Sequence, residues 1–108
     1  MFKRQNRLPR GIRFNNSGTF QTNAFVLRIK ENGLTLNRFG IIVSKKIDKR
    51  AVVRNKIKRM LRRSLEGLSK EMTIGHDMLF LVRPGIINKS AQTNIVLRQI
   101  LEKANILK

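Results

Sequence analysis

The chain has 108 residues, a length that allows one domain with one modest hydrophobic core. Hydrophobic residues make up 41% of it, which excludes a disordered basic tail, and the lack of cysteine excludes disulfides and thiolate chemistry. The formal net charge of +18, from 24 basic and 6 acidic residues, indicates an anionic partner, either a nucleic acid or an acidic membrane surface.

The N-terminal residues are basic and rich in turn formers. Residues 1–13 carry five Lys or Arg side chains together with Pro9 and Gly11, which predicts a basic arm. The arm lacks the apolar stretch of a secretory signal, and apolar runs elsewhere have only the length of strands. We therefore expect no membrane span and a cytoplasmic protein.

Two strands are predicted in the first half of the chain. Apolar residues over 19–31 alternate in the way typical of a strand, and Asn32-Gly33 is a strong signal for a tight hairpin. Residues 36–46 are predicted to return as the second strand. The run from Gly40 to Val43 indicates burial on both faces, as in a central strand.

A basic amphipathic helix is predicted next, over residues 51–66, with Gly67 as its C-cap. A helical wheel separates an apolar arc, which would pack on the sheet, from a basic arc, which would face solvent. The apolar arc consists of Val53, Ile57, Met60, Leu61 and Leu68, and the basic arc of Arg54, Asn55, Lys58, Arg59, Arg62 and Arg63.

The basic arc favours nucleic acid over the alternatives. A helix designed only for solubility would alternate acidic and basic side chains at i,i+4, whereas this one repeats the same charge. A membrane-surface helix would show aromatic residues or a wide apolar face, and neither is present. The predicted element order matches no helix-turn-helix, zinc-finger or zipper protein, which favours RNA.

The remaining residues complete the predicted fold. Residues 77–83 are predicted to form a third strand, and Ser90 is predicted to cap a helix over about residues 91–104. The order β-β-α-β-α requires a crossover with one parallel strand pair, which predicts an α+β protein with a two-layer α-β sandwich. The residues expected to face inward from the last helix are Ile95, Ile100, Leu101 and Ala104.

No residues with a pattern typical of catalysis are found. His76 beside Asp77 allows a metal or general-base role, but a lone histidine in a loop is usually solvated. The sequence shows no carboxylate pair, Ser/His/Asp set, Cys/His spacing or phosphate-binding glycine loop. We expect no metal site and no catalytic residue in the protein itself.

Two segments carry a family resemblance. FGIIVSKKIDKRAVVRNKIKRMLRRSL (39–65) and DMLFLVRPG (77–85) closely resemble the signature of the protein subunit of bacterial ribonuclease P. Lys56 stands where the family favours Arg, and Arg63 where an acidic residue is common. The N-terminal region lacks the usual aspartate-Phe-x-x-Val-Phe pattern of the family's first helix.

The resemblance implies that residues 1–108 form a single RNA-binding domain, and it also implies a fold and a function. The β-α-β crossover would be left-handed, although chain order alone favours the right-handed form. The partners would be a catalytic RNA and precursor tRNA, whose 5′ leader the RNA removes with Mg²⁺ that is bound mainly by the RNA. The protein, as a monomer within the complex, would then be the subunit of an endoribonuclease.

The resemblance and the charge pattern together assign candidate residues. Those expected to bind RNA are Lys45, Lys46, Arg54, Asn55, Lys56, Lys58, Arg59, Arg62 and Arg63. Those expected to bind the leader are Phe14, Phe20 and Ser44, because single strands are held by stacking on aromatic rings in a basic groove. Phe25 and Phe39 are expected in the core.

The alternative is a structural RNA-binding protein, such as a ribosomal protein, with no role in an enzyme. Composition alone does not separate the two functions. The signature helix favours the ribonuclease P subunit.

Overall fold

The structure is a computed structural model that describes residues 4–9, 11–14, 18–86 and 93–108. The sheet consists of β1 (Gly18–Gln21), β2 (Phe25–Glu31), β3 (Arg38–Ile42) and β4 (His76–Val82). The helices are α1 (Ala51–Leu68) and α2 (Thr93–Lys103), with short 3₁₀ helices at Arg4–Asn6 and Ser69–Glu71.

The four strands form one mixed sheet in the order β1-β2-β4-β3. The pairs β1–β2 and β2–β4 are antiparallel, and β3–β4 is parallel. Since α1 connects β3 to β4, the predicted crossover with a parallel pair is confirmed, and so is the α+β class. The left hand of this crossover stays a prediction.

The first predicted strand is in fact two strands. Residues 19–31 are interrupted by a turn, in which the Thr22 hydroxyl accepts hydrogen bonds from the backbone N–H groups of Ala24 (3.3 Å) and Phe25 (3.2 Å). A threonine that bonds the backbone ahead of it competes with a continuing strand, and the chain reverses here. The sheet thus has four strands where three were predicted.

The predicted hairpin at Asn32-Gly33 is wrong. β2 and β3 are not neighbours, because β4 lies between them and pairs with β2 over seven residues, from Phe25↔Val82 to Glu31↔His76. Asn32 and Gly33 do form a turn, in which the Asn32 side chain accepts a hydrogen bond from the Leu34 N–H at 2.8 Å and Gly33 has φ 71°. That turn begins a longer loop that passes the end of β4.

β3 is an edge strand, so the predicted central position is also wrong. Ile42 remains 47% exposed. The apolar run in β3 has another reason, since Phe39 packs into the core on one face while Leu8 covers Gly40 on the other. The Leu8 N–H donates to the Phe39 carbonyl at 3.0 Å, so the N-terminal segment borders this edge.

The core lies between one face of the sheet and the two helices. Phe25 and Phe80 meet edge to face at its centre, with ring centroids 6.0 Å apart. The principal core residues are Phe25, Leu27, Phe39, Met78 and Phe80 from the sheet, Leu61, Leu65 and Leu68 from α1, and Val96, Leu97, Ile100 and Leu101 from α2. We call the sheet face away from the helices the open face.

The predicted end of the first helix is wrong, and the predicted start of the last helix is untested. α1 does not end at Gly67, which is helical, and runs on through Leu68 into the 3₁₀ helix, where the Ser69 hydroxyl donates to the Glu66 carbonyl at 2.7 Å. α2 is described over Thr93–Lys103, and its predicted start at about residue 91 and the predicted cap at Ser90 lie outside the described residues.

One inward-facing residue predicted for α2 is wrong. Ile95 is 55% exposed, and the adjacent Val96 is buried instead. Burial of Ile100 and Leu101 is confirmed, and Ala104 packs partly buried against the core. Val96 and Ile100 are four residues apart, so they share the helix face that meets the sheet.

Candidate nucleic-acid interface

α1 presents a stripe of basic side chains to solvent. The helix forms because its apolar positions recur at helical spacing, and the burial of Leu61, Leu65 and Leu68 turns the opposite side outward. The exposed side chains of the stripe are Asn55, Arg59, Arg62 and Arg63, while Arg54 and Lys58 are half-buried. Lys56 is exposed on another side of the helix, next to Val53, Ile57 and Met60. The ion pairs Arg38–Asp77, Arg50–Asp48 and Arg98–Glu71 lie outside the stripe.

Arg54 has a structural contact that the helical wheel does not reveal. One guanidinium nitrogen donates to the carbonyl oxygens of Asp48 (3.0 Å) and Lys49 (2.8 Å), which closes the loop in front of α1. The Asp48 carboxylate accepts two hydrogen bonds from the Arg50 side chain and one from its backbone N–H, and these bonds lower the pKa of Asp48. Arg54 therefore supports the loop as well as the basic surface.

The loop between β3 and α1 places two lysines next to the stripe. Ile47 is buried and its N–H donates to the Ser44 carbonyl at 3.0 Å, so residues 44–47 form a tight turn. Ser44, Lys45 and Lys46 are all exposed on this turn. The Ser-Lys-Lys motif thus adjoins the start of the basic helix.

Phe14 lies beside the open face of the sheet. The ammonium of Lys30, on β2, is 5.4 Å from the centroid of the Phe14 ring and donates a hydrogen bond to the Arg13 carbonyl at 2.8 Å. Such a cation over an aromatic face is attracted by the ring quadrupole. Phe14 is half-buried, so part of its surface remains available to a ligand.

Phe20 lies on the other side of the sheet from Phe14. It pairs with the fully buried Leu27 across β1 and β2, and its ring packs against the core. Since it shares its face with the helices, Phe20 is not part of the open face that was predicted to bind the leader. Phe25 and Phe39 are buried in the core, as predicted.

His76 and Asp77 do not form a catalytic pair. Adjacent residues of a strand point to opposite faces, and the Asp77 carboxylate is already bonded to Arg38 and Asn32. Burial raises the pKa of Asp77, but these hydrogen bonds and the charges of Arg38 and Lys30 outweigh it and hold the pKa below the usual 3.8. His76 Nδ1 is buried and has no hydrogen-bond partner within the described ranges.

Sequence reasoning missed a groove beside the basic stripe. It measures about 630 Å³ and lies between α1 and the N-terminal segment, along the outer edge of β3. Arg7 and Leu8 form one wall, and Arg59 and Arg62 belong to the other. A glycine inside a strand often marks a close backbone approach, so Gly40 was the signal that could have located the groove.

The described ranges lack two kinds of feature. No helix there combines the length and the apolar character that crossing a membrane requires. No group of three or more His, Cys, Asp or Glu residues there is placed to hold a metal ion.

Comparison with known proteins gives one consistent family. A family model described as Ribonuclease P matches residues 2–105. A Clostridium kluyveri protein named "Ribonuclease P protein component" is 36% identical over 93 residues, covering 83% of this chain and 82% of that protein. The same name belongs to a Microcystis aeruginosa protein that is 42% identical over 72 residues, covering 66% of this chain but 60% of the relative.

Solved structures show the same likeness. The Staphylococcus aureus RNase P protein superimposes with a TM-score of 0.79 and 26% identity, and the match covers 88% of this chain and 87% of that one.

Proposed function

Because the chain belongs to the ribonuclease P protein family, we propose that it is the protein subunit of a ribonucleoprotein that removes the 5′ leader from precursor tRNA. The observation that supports this most directly is the stripe on α1, where Arg59 and Arg62 are exposed on a helix whose other side is buried. The family match argues against the alternative of a structural RNA-binding protein such as a ribosomal protein.

The stripe would bind the catalytic RNA through its phosphates. Each phosphate contact by Lys or Arg releases a condensed counterion, which favours association and makes it sensitive to salt. Lys45 and Lys46 extend the same positive surface from the turn before the helix. The protein would act as a monomer within the complex.

The open face of the sheet would hold the leader of precursor tRNA. Phe14 supplies an aromatic ring for stacking and Ser44 a hydroxyl, while Lys30 and Arg28 on β2 supply positive charge. Base stacking on aromatic rings tolerates many sequences, which suits a leader that differs between tRNA precursors. Phe20 is left out of this proposal because it packs against the core.

The chemistry would reside in the RNA. Mg²⁺ held mainly by the RNA would supply Lewis-acid activation of water and stabilise charge at the phosphodiester. The protein residues described above bind and orient RNA, and none of them is assigned a proton transfer.

Reconstitution tests this proposal. Nuclease-treated protein, the catalytic RNA of the same genome and precursor tRNA are combined at limiting Mg²⁺, together or with one component left out. We expect the protein to stimulate cleavage at the 5′ end of the tRNA only when the RNA is present. Cleavage by protein without RNA would overturn the assignment of chemistry to the RNA, and no stimulation would overturn the proposed function itself.

A further inference from the structure

The groove beside α1 is a built feature of the fold, since specific contacts hold its N-terminal wall in place. The Leu8 N–H donates to the Phe39 carbonyl at 3.0 Å, and the Asn6 side-chain amide donates to the Asn37 carbonyl at 2.9 Å. Residues 6–8 therefore run beside β3, and Arg7 forms a parallel bridge with Phe39.

A glycine in β3 makes this arrangement possible. A Cβ atom at Gly40 would lie 2.9 Å from Leu8 Cδ1 and 3.1 Å from Leu79 Cδ1, so the ends of both leucine side chains would have to shift. With no side chain at position 40, Leu8 lies directly on the strand. Arg7 is thereby held across the groove from α1.

The groove combines a positive rim with apolar surface. Guanidinium groups of Arg7, Arg59, Arg62 and Arg63 line it, with Glu66 as the one carboxylate among the described lining residues. Leu8 and Ile41, both half-buried, supply apolar surface at the strand edge. A volume of about 630 Å³ is in the range of sites that enclose one small ligand.

Charge complementarity identifies the occupant as an anion that also has a flat apolar part. Arginine binds phosphate through paired N–H donors, and an unstacked base packs against guanidinium planes or between apolar side chains. A base within a duplex is stacked and paired and so does not enter a groove, whereas an unpaired base does. Because Arg59 and Arg62 also belong to the stripe, the RNA that reaches the groove is the one bound by α1.

We propose that this groove binds one unpaired nucleotide of the catalytic RNA, with its phosphate at Arg7 and α1 and its base against Leu8 and Ile41. This inference rests on the proposed function, and it adds the N-terminal segment to the RNA-binding surface. It also gives a reason for the glycine at position 40, where Leu8 of the N-terminal segment packs on β3.

The test compares two charge removals within the same segment. Arg7→Ala removes a guanidinium from the groove, and Arg13→Ala removes an exposed one that does not line it. Chemical probing of 2′-hydroxyl reactivity in full-length catalytic RNA, free and bound to each protein, maps the nucleotides that become protected. We expect Arg7→Ala to lose protection at one or two unpaired nucleotides that both wild type and Arg13→Ala protect.

Affinity measurements separate the phosphate contact from the base contact. Arg7→Ala should make the slope of log affinity against log salt concentration shallower by about one unit. Leu8→Ala removes no charge, so it should leave the slope unchanged and weaken RNA binding by roughly fivefold through the lost apolar contact. An RNA made abasic at the protected nucleotide should bind wild type as weakly as the normal RNA binds Leu8→Ala.

Each of the remaining outcomes rejects either the nucleotide groove alone or the proposed function as well. If Arg7→Ala and Arg13→Ala leave the same protection pattern, or if the lost protection falls on paired nucleotides or on the leader, the nucleotide groove is rejected while the proposed function stands. If wild-type protein does not bind the RNA at all, the proposed function fails and the groove fails with it.

Discussion

Arg38 and Asp77 face each other across the parallel β3–β4 pair and form a forked ion pair, with Arg38 Nε 2.7 Å from Oδ1 and Nη2 2.8 Å from Oδ2. The Asn32 side-chain amide donates to the same Oδ1 at 3.0 Å. Asp77 is completely buried, so this carboxylate ties β3, β4 and the loop that follows β2 to one point. The aspartate that opens the second signature segment is therefore a structural residue.

Removal of the Asp77 charge should destabilise the protein. Asp77→Asn leaves the Arg38 guanidinium, whose side chain is 22% exposed, without its anion at a fully buried position, which should cost about 2–3 kcal/mol of unfolding free energy. The matched control is Glu71→Gln, which breaks the Arg98–Glu71 pair at side chains that are 43% and 50% exposed, and there the loss should be much smaller because solvent screens the pair. Urea unfolding measures both, and equal losses would contradict this reading of Asp77.

The Asp77 ion pair should also give stability a dependence on pH. The pKa of Asp77 is lower in the folded protein than the ordinary 3.8, so the Asp77 carboxylate becomes protonated at a higher pH in the unfolded chain than in the folded protein. The stabilisation is complete well above pH 3.8 and is lost as the pH falls through that value and on through the folded pKa. The difference in unfolding free energy between wild type and Asp77→Asn should be largest near neutrality and shrink below about pH 4. A difference that stays constant into strong acid would count against the charged pair.

Two substitutions in the stripe should weaken RNA binding without harming the fold. Arg59→Ala with Arg62→Ala removes exposed charges that repel their neighbours, so stability should hold, while the salt dependence of RNA affinity should become shallower by up to about two units. Lys103→Ala with Lys108→Ala removes the same charge from exposed positions at and beyond the end of α2. If both double variants shift the salt dependence equally, the effect is one of net charge and the stripe is not the contact surface.

Phe14→Ala should weaken the binding of precursor tRNA to the assembled enzyme. Loss of one stacked base is worth about 1–3 kcal/mol, so affinity should fall about tenfold, while mature tRNA, which has no leader, should bind almost as before. Thermal unfolding serves as the control, because truncation of a core phenylalanine costs about 3–5 kcal/mol. A variant that loses stability yet keeps its preference for precursor tRNA would show that Phe14 is a packing residue.

Gly85, in the Pro-Gly pair after β4, should not tolerate substitution by a residue with a side chain. A Cβ atom at Gly85 would clash with the Asn23 carbonyl oxygen, so Gly85→Ala must displace the turn between β1 and β2 and should lower the melting temperature. Gly67→Ala is the matched control, since a Cβ there meets no atom within 4 Å, and alanine in a helix should stabilise by about 0.5–1 kcal/mol. Similar effects of the two substitutions would contradict the close contact at Gly85.

Patterns that depend on near neighbours in the chain were read correctly from the sequence. The spacing of apolar residues in α1 predicted which side is buried, and the exposure of Arg59 and Arg62 followed from it. The crossover between β3 and β4 also followed, because a helix between two strands leaves room for a parallel pair. Helical periodicity and the length of a connection are local quantities, and a single sequence contains them.

The partners of each segment were decided only by tertiary structure. Asn32-Gly33 turns as its residue types predict, yet β2 pairs with β4 because seven register pairs and a shared core outweigh the local preference for a hairpin. Leu8 lies against Gly40, and Asp77 bonds Arg38, across 32 and 39 positions of sequence. Contacts at such separations depend on which surfaces meet once the chain is compact, because packing and burial are properties of the assembled layers and leave no periodic signal in either segment.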